Sequence, residues 1–207
     1  MKVPVAFFDA NVLYSRTLCD WFFMLRLELP GLFLLYTSQD VIDEVVYNIR
    51  RDSPRADGSL TERKRKHLVE FMDDVVRDFS GNVPFSGDDV HDHHVHAAAV
   101  TCRAHYLVSD DRGFASLNAD EAPYEAHTAD SFLCLIAENA PYAVQAVITR
   151  QLAYWGARPG SKSLSAALRE AGAPIFADRI ELAVRAMSEG RSVHGVLIAD
   201  SSGVTGA

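Results

Sequence analysis

The chain of 207 residues has only three cysteines, Cys19, Cys102 and Cys134, far apart and odd in number. That usage excludes a disulfide framework and offers no cysteine pair at metal-ligand spacing. It fits buried thiols in a reducing compartment, and a cytoplasmic location is expected. No apolar run approaches the roughly 18 residues that cross a bilayer, so no membrane partner is expected. The opening Met-Lys-Val-Pro-Val runs into an apolar strand with no small-residue cleavage site behind it, and is not read as a signal peptide. Positive charge is in the minority too: 20 Lys and Arg stand against 28 Asp and Glu, a net charge of −8. Proteins that grip phosphate backbones usually show the opposite balance. An acidic chain can still act on such a backbone if its acids gather at a cation and its bases gather elsewhere. Internal repeats and low-complexity tracts are absent.

Apolar residues are plentiful at 48%, enough for a real core in one α/β domain with a small extension. Short apolar runs at 5–8, 32–36, 106–108 and, more weakly, 124–127 lack polar alternation and predict buried parallel strands. Helical periods lie between them. Ser38 is the natural N-cap for Val41, Ile42, Val45, Val46 and Ile49. Residues 61–79 repeat Leu68, Phe71, Met72, Val75, Val76 and Phe79 at helical spacing, and 88–104 and 129–139 are read as two more helices. Residues 51–59 and 80–87 are loops. Alternating strand and helix implies a parallel sheet with helices on both faces. From about 141 the pattern is helical only, with helices over 141–154, 164–171 and 174–189. The expected organisation is an α/β domain over 1–140, a helical extension over 141–199 and a frayed tail over 200–207.

In such sheets, ligands collect beyond the carboxyl ends of the strands. Asp9 ends the first predicted strand and Asp111 follows the third. Glu44 lies in the helix after the second strand, and Asp92 near the start of the helix before the third. Each acid alone has an ordinary explanation: a cap, a first-turn helix acid, a turn, an exposed helix residue. Together they would repel one another and raise each other's pKa unless a hard divalent cation, Mg²⁺ or Mn²⁺, lay between them. Metal plus carboxylates supports attack of water on a phosphodiester.

The blocks around these acids carry a resemblance. Phe-Phe-Asp9-Ala-Asn11-Val-Leu, Ser38-Gln-Asp-Val-Ile-Asp-Glu44-Val, Asp92-His-His-Val-His-Ala-Ala-Ala and Leu-Val-Ser109-Asp-Asp111-Arg resemble, in order and spacing, the four motif blocks of the PIN-domain nucleases. Thr128-Ala-Asp-Ser-Phe-Leu resembles that family's last strand-to-helix junction. The likeness covers roughly the first 140 residues. It implies a three-layer α/β fold with a central parallel sheet, Mg²⁺ or Mn²⁺ as cofactor, and RNA hydrolysis leaving a 5′-phosphate. It further implies metal ligation and catalysis by Asp9, Glu44, Asp92 and Asp111, with Asn11 and Ser109 as polar supports. The chain also resembles the VapC-like toxin branch, whose nucleases are silenced by a small antitoxin-type protein. His91 and His93 depart from the pattern, since relatives often have an acid and a basic residue there. The adjacent acids Asp110 and Asp111 leave two candidates for the fourth position. Asp111 is preferred because it lies two residues after Ser109, with Asp110 read as the cap of the turn that follows.

Three further features need a reading. Seven of the 20 basic residues fall within the 17 positions 50–66. An ordinary solvated helix and loop accounts for them; the functional alternative is an RNA-facing patch of Arg50, Arg51, Arg63 and Lys64. His91, His93, His94 and His96 invite a structural zinc site, but no cysteine or second histidine pair stands near them, so His94 is read as a packed or hydrogen-bonded helix residue. Residues 19–27 are apolar nearly all round, mostly core, with a docking face for an inhibitor or a second copy (a homodimer) if one flank is exposed. Two rival functions remain. A phosphohydrolase of the HAD type also starts with an acid after its first strand, but wants a second acid where Asn11 stands. A catalytically idle PIN fold serving as a binding module is the other.

Overall fold

The computed structural model describes residues 2–87, 89–111, 113–114, 117 and 122–198. They form two compact units. The first comprises residues up to Cys19 together with Pro30–Thr128; the second comprises Asp20–Leu29 and the chain from Ala129 onward.

The first unit is built on five parallel strands: β1 (Val5–Phe8), β2 (Leu34–Ser38), β3 (Asp74–Val76), β4 (Tyr106–Val108) and β5 (Glu125–His127), in the order β3-β2-β1-β4-β5. The expected α/β class with a parallel sheet is what the chain adopts. Strand β1 lies at the centre, flanked by β2 and β4, and its Ala6, Phe7 and Phe8 are fully buried, which is why it shows no polar alternation. The order reverses on either side of β1, so the carboxyl end of the β1/β4 boundary is the switch point at which sheets of this kind bind ligands. Connections run through α1 (Ala10–Tyr14), the start of α2 (Arg16–Glu28), α3 (Gln39–Asp52), α4 (Gly58–Phe71) and α5 (His93–Thr101). Ser38 caps α3 as expected, its hydroxyl accepting from the Val41 N–H at 3.2 Å.

Two expectations are corrected in this unit. Residues 61–79 are not one helix: α4 stops at Phe71 and Asp74–Val76 form the edge strand β3. Asp73 makes the switch, its carboxylate accepting from the Leu35 N–H at 2.9 Å and its own N–H donating to the Leu35 carbonyl at 2.8 Å. Those bonds align the next residues with Tyr36–Ser38. The helix expected over 88–104 is also shorter, a 3-10 turn over Val90–Asp92 leading into α5; Asp88 lies outside the described residues.

The second unit is helical: the later part of α2, α6 (Ala129–Asn139), α7 (Pro141–Gly156), α8 (Leu164–Glu170), α9 (Pro174–Ser188) and α10 (His194–Ile198). The expected extension begins at 141, whereas these contacts group α6 and Asp20–Leu29 with the helices that follow. Trp21 packs edge-on against Phe176 and Phe22 against Phe132. Trp21, Phe22, Phe23 and Leu25 are all buried. Residues 19–27 are therefore mostly core, as expected, and among them Leu27 is an exposed large apolar side chain. Helix α9 has no capping side chain of its own at Ala173. The buried Asp130 of α6 supplies one, accepting from the N–H groups of Ile175 and Phe176 at 3.0 and 2.8 Å. Residues 199–207, which include the expected tail, lie outside the described residues. Among the described residues, no single helix is long and apolar enough to cross a membrane.

Candidate active site

Asp9 leaves β1 and becomes the N-cap of α1, its Oδ1 accepting from the Ala10 N–H at 2.6 Å. Its other oxygen receives two side-chain donors, the Asn11 amide at 2.9 Å and the Ser109 hydroxyl at 2.7 Å. Asn11 also donates to Ser109 Oγ at 3.1 Å and accepts from the Asp110 N–H at 3.2 Å. Ser109 Oγ further accepts from the Asp111 N–H at 3.1 Å. Every lone pair and hydrogen of the Ser109 hydroxyl is thus used, and the ends of the two central strands are tied together through three side chains. Asp9 is only 6% exposed. Burial pushes its carboxyl above the ordinary range, Ser109 and Ala10 pull it down, and Asp111 pushes it up again.

The other acids lie within electrostatic reach of Asp9. Glu44, about half exposed on α3, is raised by partial burial first and then by the negative charge of Asp9, while His94 and a hydrogen bond from Asn48 lower it. Asp92, at the end of the 3-10 turn, is pushed up to about 6 by burial, then by Asp111, Asp89 and Asp9. Its Oδ2 is buried and accepts no hydrogen bond from any described residue. Asp111 Oδ1 accepts from the Gly113 N–H at 2.8 Å. The Asp111 carboxylate thus closes part of the turn after β4; Arg112, where the turn expected to be capped by Asp110 begins, lies outside the described residues. A methyl group on Gly113 would sit 2.9 Å from Asp92 Oδ2 and 3.4 Å from Asp111 Oδ1, so glycine keeps that space between the two acids open.

The four acids singled out in the sequence thus feel one another's charge, with Asn11 and Ser109 bonded to the most buried of them. Sequence reasoning undervalued two residues. Gly113 clears the space just described. His94 stands 3.7 Å from Glu44 Oε2 and lowers the pKa of Asp9, Glu44 and Asp92. The only available hint was its place two residues after Asp92. Among the described residues no three-ligand metal group includes the histidines of the zinc reading. His93 Nε2 is bonded to the Val83 carbonyl, and His96 lies between the Tyr124 hydroxyl and the Pro84 carbonyl.

The site suits a hard cation. Its donors are carboxylate oxygens, one of them orphaned and buried; burial first, then neighbouring acids, raises the pKa values of Asp9, Glu44 and Asp92. Among the described residues no three His, Cys, Asp or Glu side chains close to direct-ligand spacing.

The basic segment lies apart from this arrangement in its bonding. Arg50 donates to the Ala56 carbonyl and Thr61 hydroxyl. Arg51 pairs with Asp52, and Lys64 Nζ lies 3.5 Å from Cys19 Sγ. Arg63 is exposed on α4.

With this geometry in view, the comparison with known families has a direct answer: the PIN domain matches residues 5–113. The chain belongs to the PIN domain family. The match begins at β1 and ends at Gly113, so it spans all four acids and their supports. No curated protein matches the chain. Membership in a family of nucleases removes the HAD-type reading, and Asn11, the residue that counted against it, is bonded to Asp9.

Proposed function

We propose that this PIN domain is a divalent-metal-dependent endoribonuclease, with Asp9, Glu44, Asp92 and Asp111 holding Mg²⁺ or Mn²⁺. The observation that carries this reading is the orphaned, buried Asp92 Oδ2 beside three other coupled carboxylates. An idle fold has no need to keep four acids in one another's field, because that arrangement destabilises the metal-free protein. When bound, the cation's chemistry is Lewis acidity at the phosphodiester and a more acidic attacking water. The chain's own part is to aim oxygen donors. Asn11 and Ser109 fix the rotamer of Asp9, and the Asp111–Gly113 hydrogen bond fixes that of Asp111. RNA is the proposed substrate, with Arg63, exposed on α4, proposed to meet its backbone. We extend the reading to the toxin of a toxin–antitoxin pair, held inactive by a small partner protein, in the cytoplasm.

Purified protein should cleave RNA with Mg²⁺ or Mn²⁺ and stop in EDTA. Asp9→Asn should lower the rate by about a hundredfold or more. Equal cleavage by that variant would return the chain to the binding-module reading.

A further inference from the structure

Helix α7 ends in a corner of stacked side chains. The Trp155 indole N–H donates to the side-chain oxygen of the buried Gln151 at 2.8 Å, which fixes that ring. Tyr154 meets Trp155 edge-on, with ring centroids 4.9 Å apart, and is about half exposed. Arg158 follows Tyr154 by four positions, close to one turn of helix. Its guanidinium carbon lies over the Tyr154 ring, 3.5 Å from the centroid. Its Nη1 donates to the Tyr154 carbonyl at 2.6 Å, and the residue is exposed. Charge sets this arginine apart. The six other Lys and Arg side chains after Ala129 each pair with a carboxylate: Arg150 with Glu28, Lys162 with Glu170, Arg169 with Asp178 and Glu181, Arg179 with Glu138, Arg185 with Glu181, and Arg191 with Glu189. Arg158 has no acidic partner among the described residues. Resting on the reading of RNA as substrate, we infer that Tyr154 and Arg158, braced by Trp155, form a docking platform for single-stranded RNA. A base stacks on the outer face of the guanidinium, and the remaining guanidinium N–H groups take an adjoining phosphate.

Three physical facts support the assignment. Unpaired bases are held by stacking on aromatic rings and on guanidinium planes, whereas a duplex hides those base faces. A guanidinium has five N–H donors in a fixed fork that matches phosphate oxygens. In a chain of net charge −8, an arginine without an acidic partner is a local point of attraction for an anion. The competing account makes Arg158 only a cap, because it binds a last-turn carbonyl at the negative end of α7. The two accounts differ in what they touch. A cap acts on stability and is indifferent to RNA, while a stacking platform separates single strands from duplexes.

Binding of a labelled single-stranded RNA, and of a duplex of the same length, to the full chain in Ca²⁺ tests this. Tyr154→Ala and Arg158→Ala should each lose at least about fivefold in affinity for the single strand, the low end of what one stacked base contributes. Tyr154→Phe should keep wild-type affinity, because a ring still backs the guanidinium. Arg158→Lys keeps the charge and loses the plane, so it should lose about as much as Arg158→Ala. Duplex affinity should change by no more than about twofold in all four variants. Unchanged single-strand affinity in the two alanine variants, an equal loss for the duplex, or full retention by Arg158→Lys overturns the platform. If wild type binds no RNA, the substrate reading fails and this inference with it, an outcome visible before any variant is made.

Discussion

Asp92 shows how one side chain links burial, pH and ligand. Its carboxyl titrates near 6 in the fold against an ordinary 3.8, for burial first and three neighbouring acids after it. Well below pH 3.8 the group is protonated in both folded and unfolded chain and contributes nothing. As pH rises towards 6 the unfolded chain releases its proton first, so the metal-free fold loses stability and stays penalised above that. Asp92→Asn lacks the penalty. Melts in EDTA from pH 4 to pH 8 should show the variant gaining on wild type through pH 4–6, with the gap constant above. A gap independent of pH would sink this account. The neighbouring pair gives a second residue-scale outcome. Asn at 111 keeps an oxygen for the Gly113 N–H, so Asp111→Asn should fold normally yet lose most of the melting-temperature rise given by Mn²⁺. Asp110→Asn should keep that rise. The reverse pattern would make Asp110 the metal-site acid.

At the scale of elements, helices are held at their ends by side chains from other segments as well as their own. Asp130 is the clearest case: a buried carboxylate on α6 satisfies two free N–H groups at the start of α9, whose positive end favours a negative charge. Asp130→Ala should therefore cost about 2 kcal/mol, the upper part of the range for caps, measured by urea denaturation. A change within about 0.5 kcal/mol, typical of ordinary surface sites, would mean water replaces the carboxylate without loss. Nothing local announces this bond, because its partners are 45 and 46 positions apart. Local signals worked where cause and effect were close in sequence. Ser38 before an apolar stripe gave the start of α3, and Pro141 and Pro174 marked the first turns of α7 and α9. They misled over β3, since Leu68, Phe71, Met72, Val75 and Val76 satisfy a helical period and Val75–Val76 equally suit a short strand. The tie that decides for the strand is the pair of hydrogen bonds between Asp73 and Leu35, a long-range event.

For the whole molecule, the acids were legible because each sits beside a recognisable junction of strand and helix, and parallel topology sends those junctions to one edge. The roles of His94 and Gly113 were not, because each depends on the distance to a residue on another segment. Net charge bears on the same question from outside. At −8 the chain as a whole repels RNA, so phosphate contacts must be few and local. Within the basic segment, Arg50 and Arg51 are held by internal partners, and Arg63 is exposed on α4. Each phosphate neutralised on a single strand contributes about −0.7 to the slope of log affinity against log salt. Two or three contacts therefore predict a slope of roughly −1.4 to −2, far shallower than that of a strongly basic nucleic-acid binder. Binding of a labelled single-stranded RNA should be measured from low to physiological salt in Ca²⁺, an oxygen-seeking ion chosen to occupy the acids without turnover. Arg63→Ala should flatten the slope by about 0.7, whereas Arg51→Ala, whose charge already answers Asp52, should flatten it less. An unchanged slope for Arg63→Ala would assign α4 to ordinary solvated surface and place the RNA backbone elsewhere on the protein.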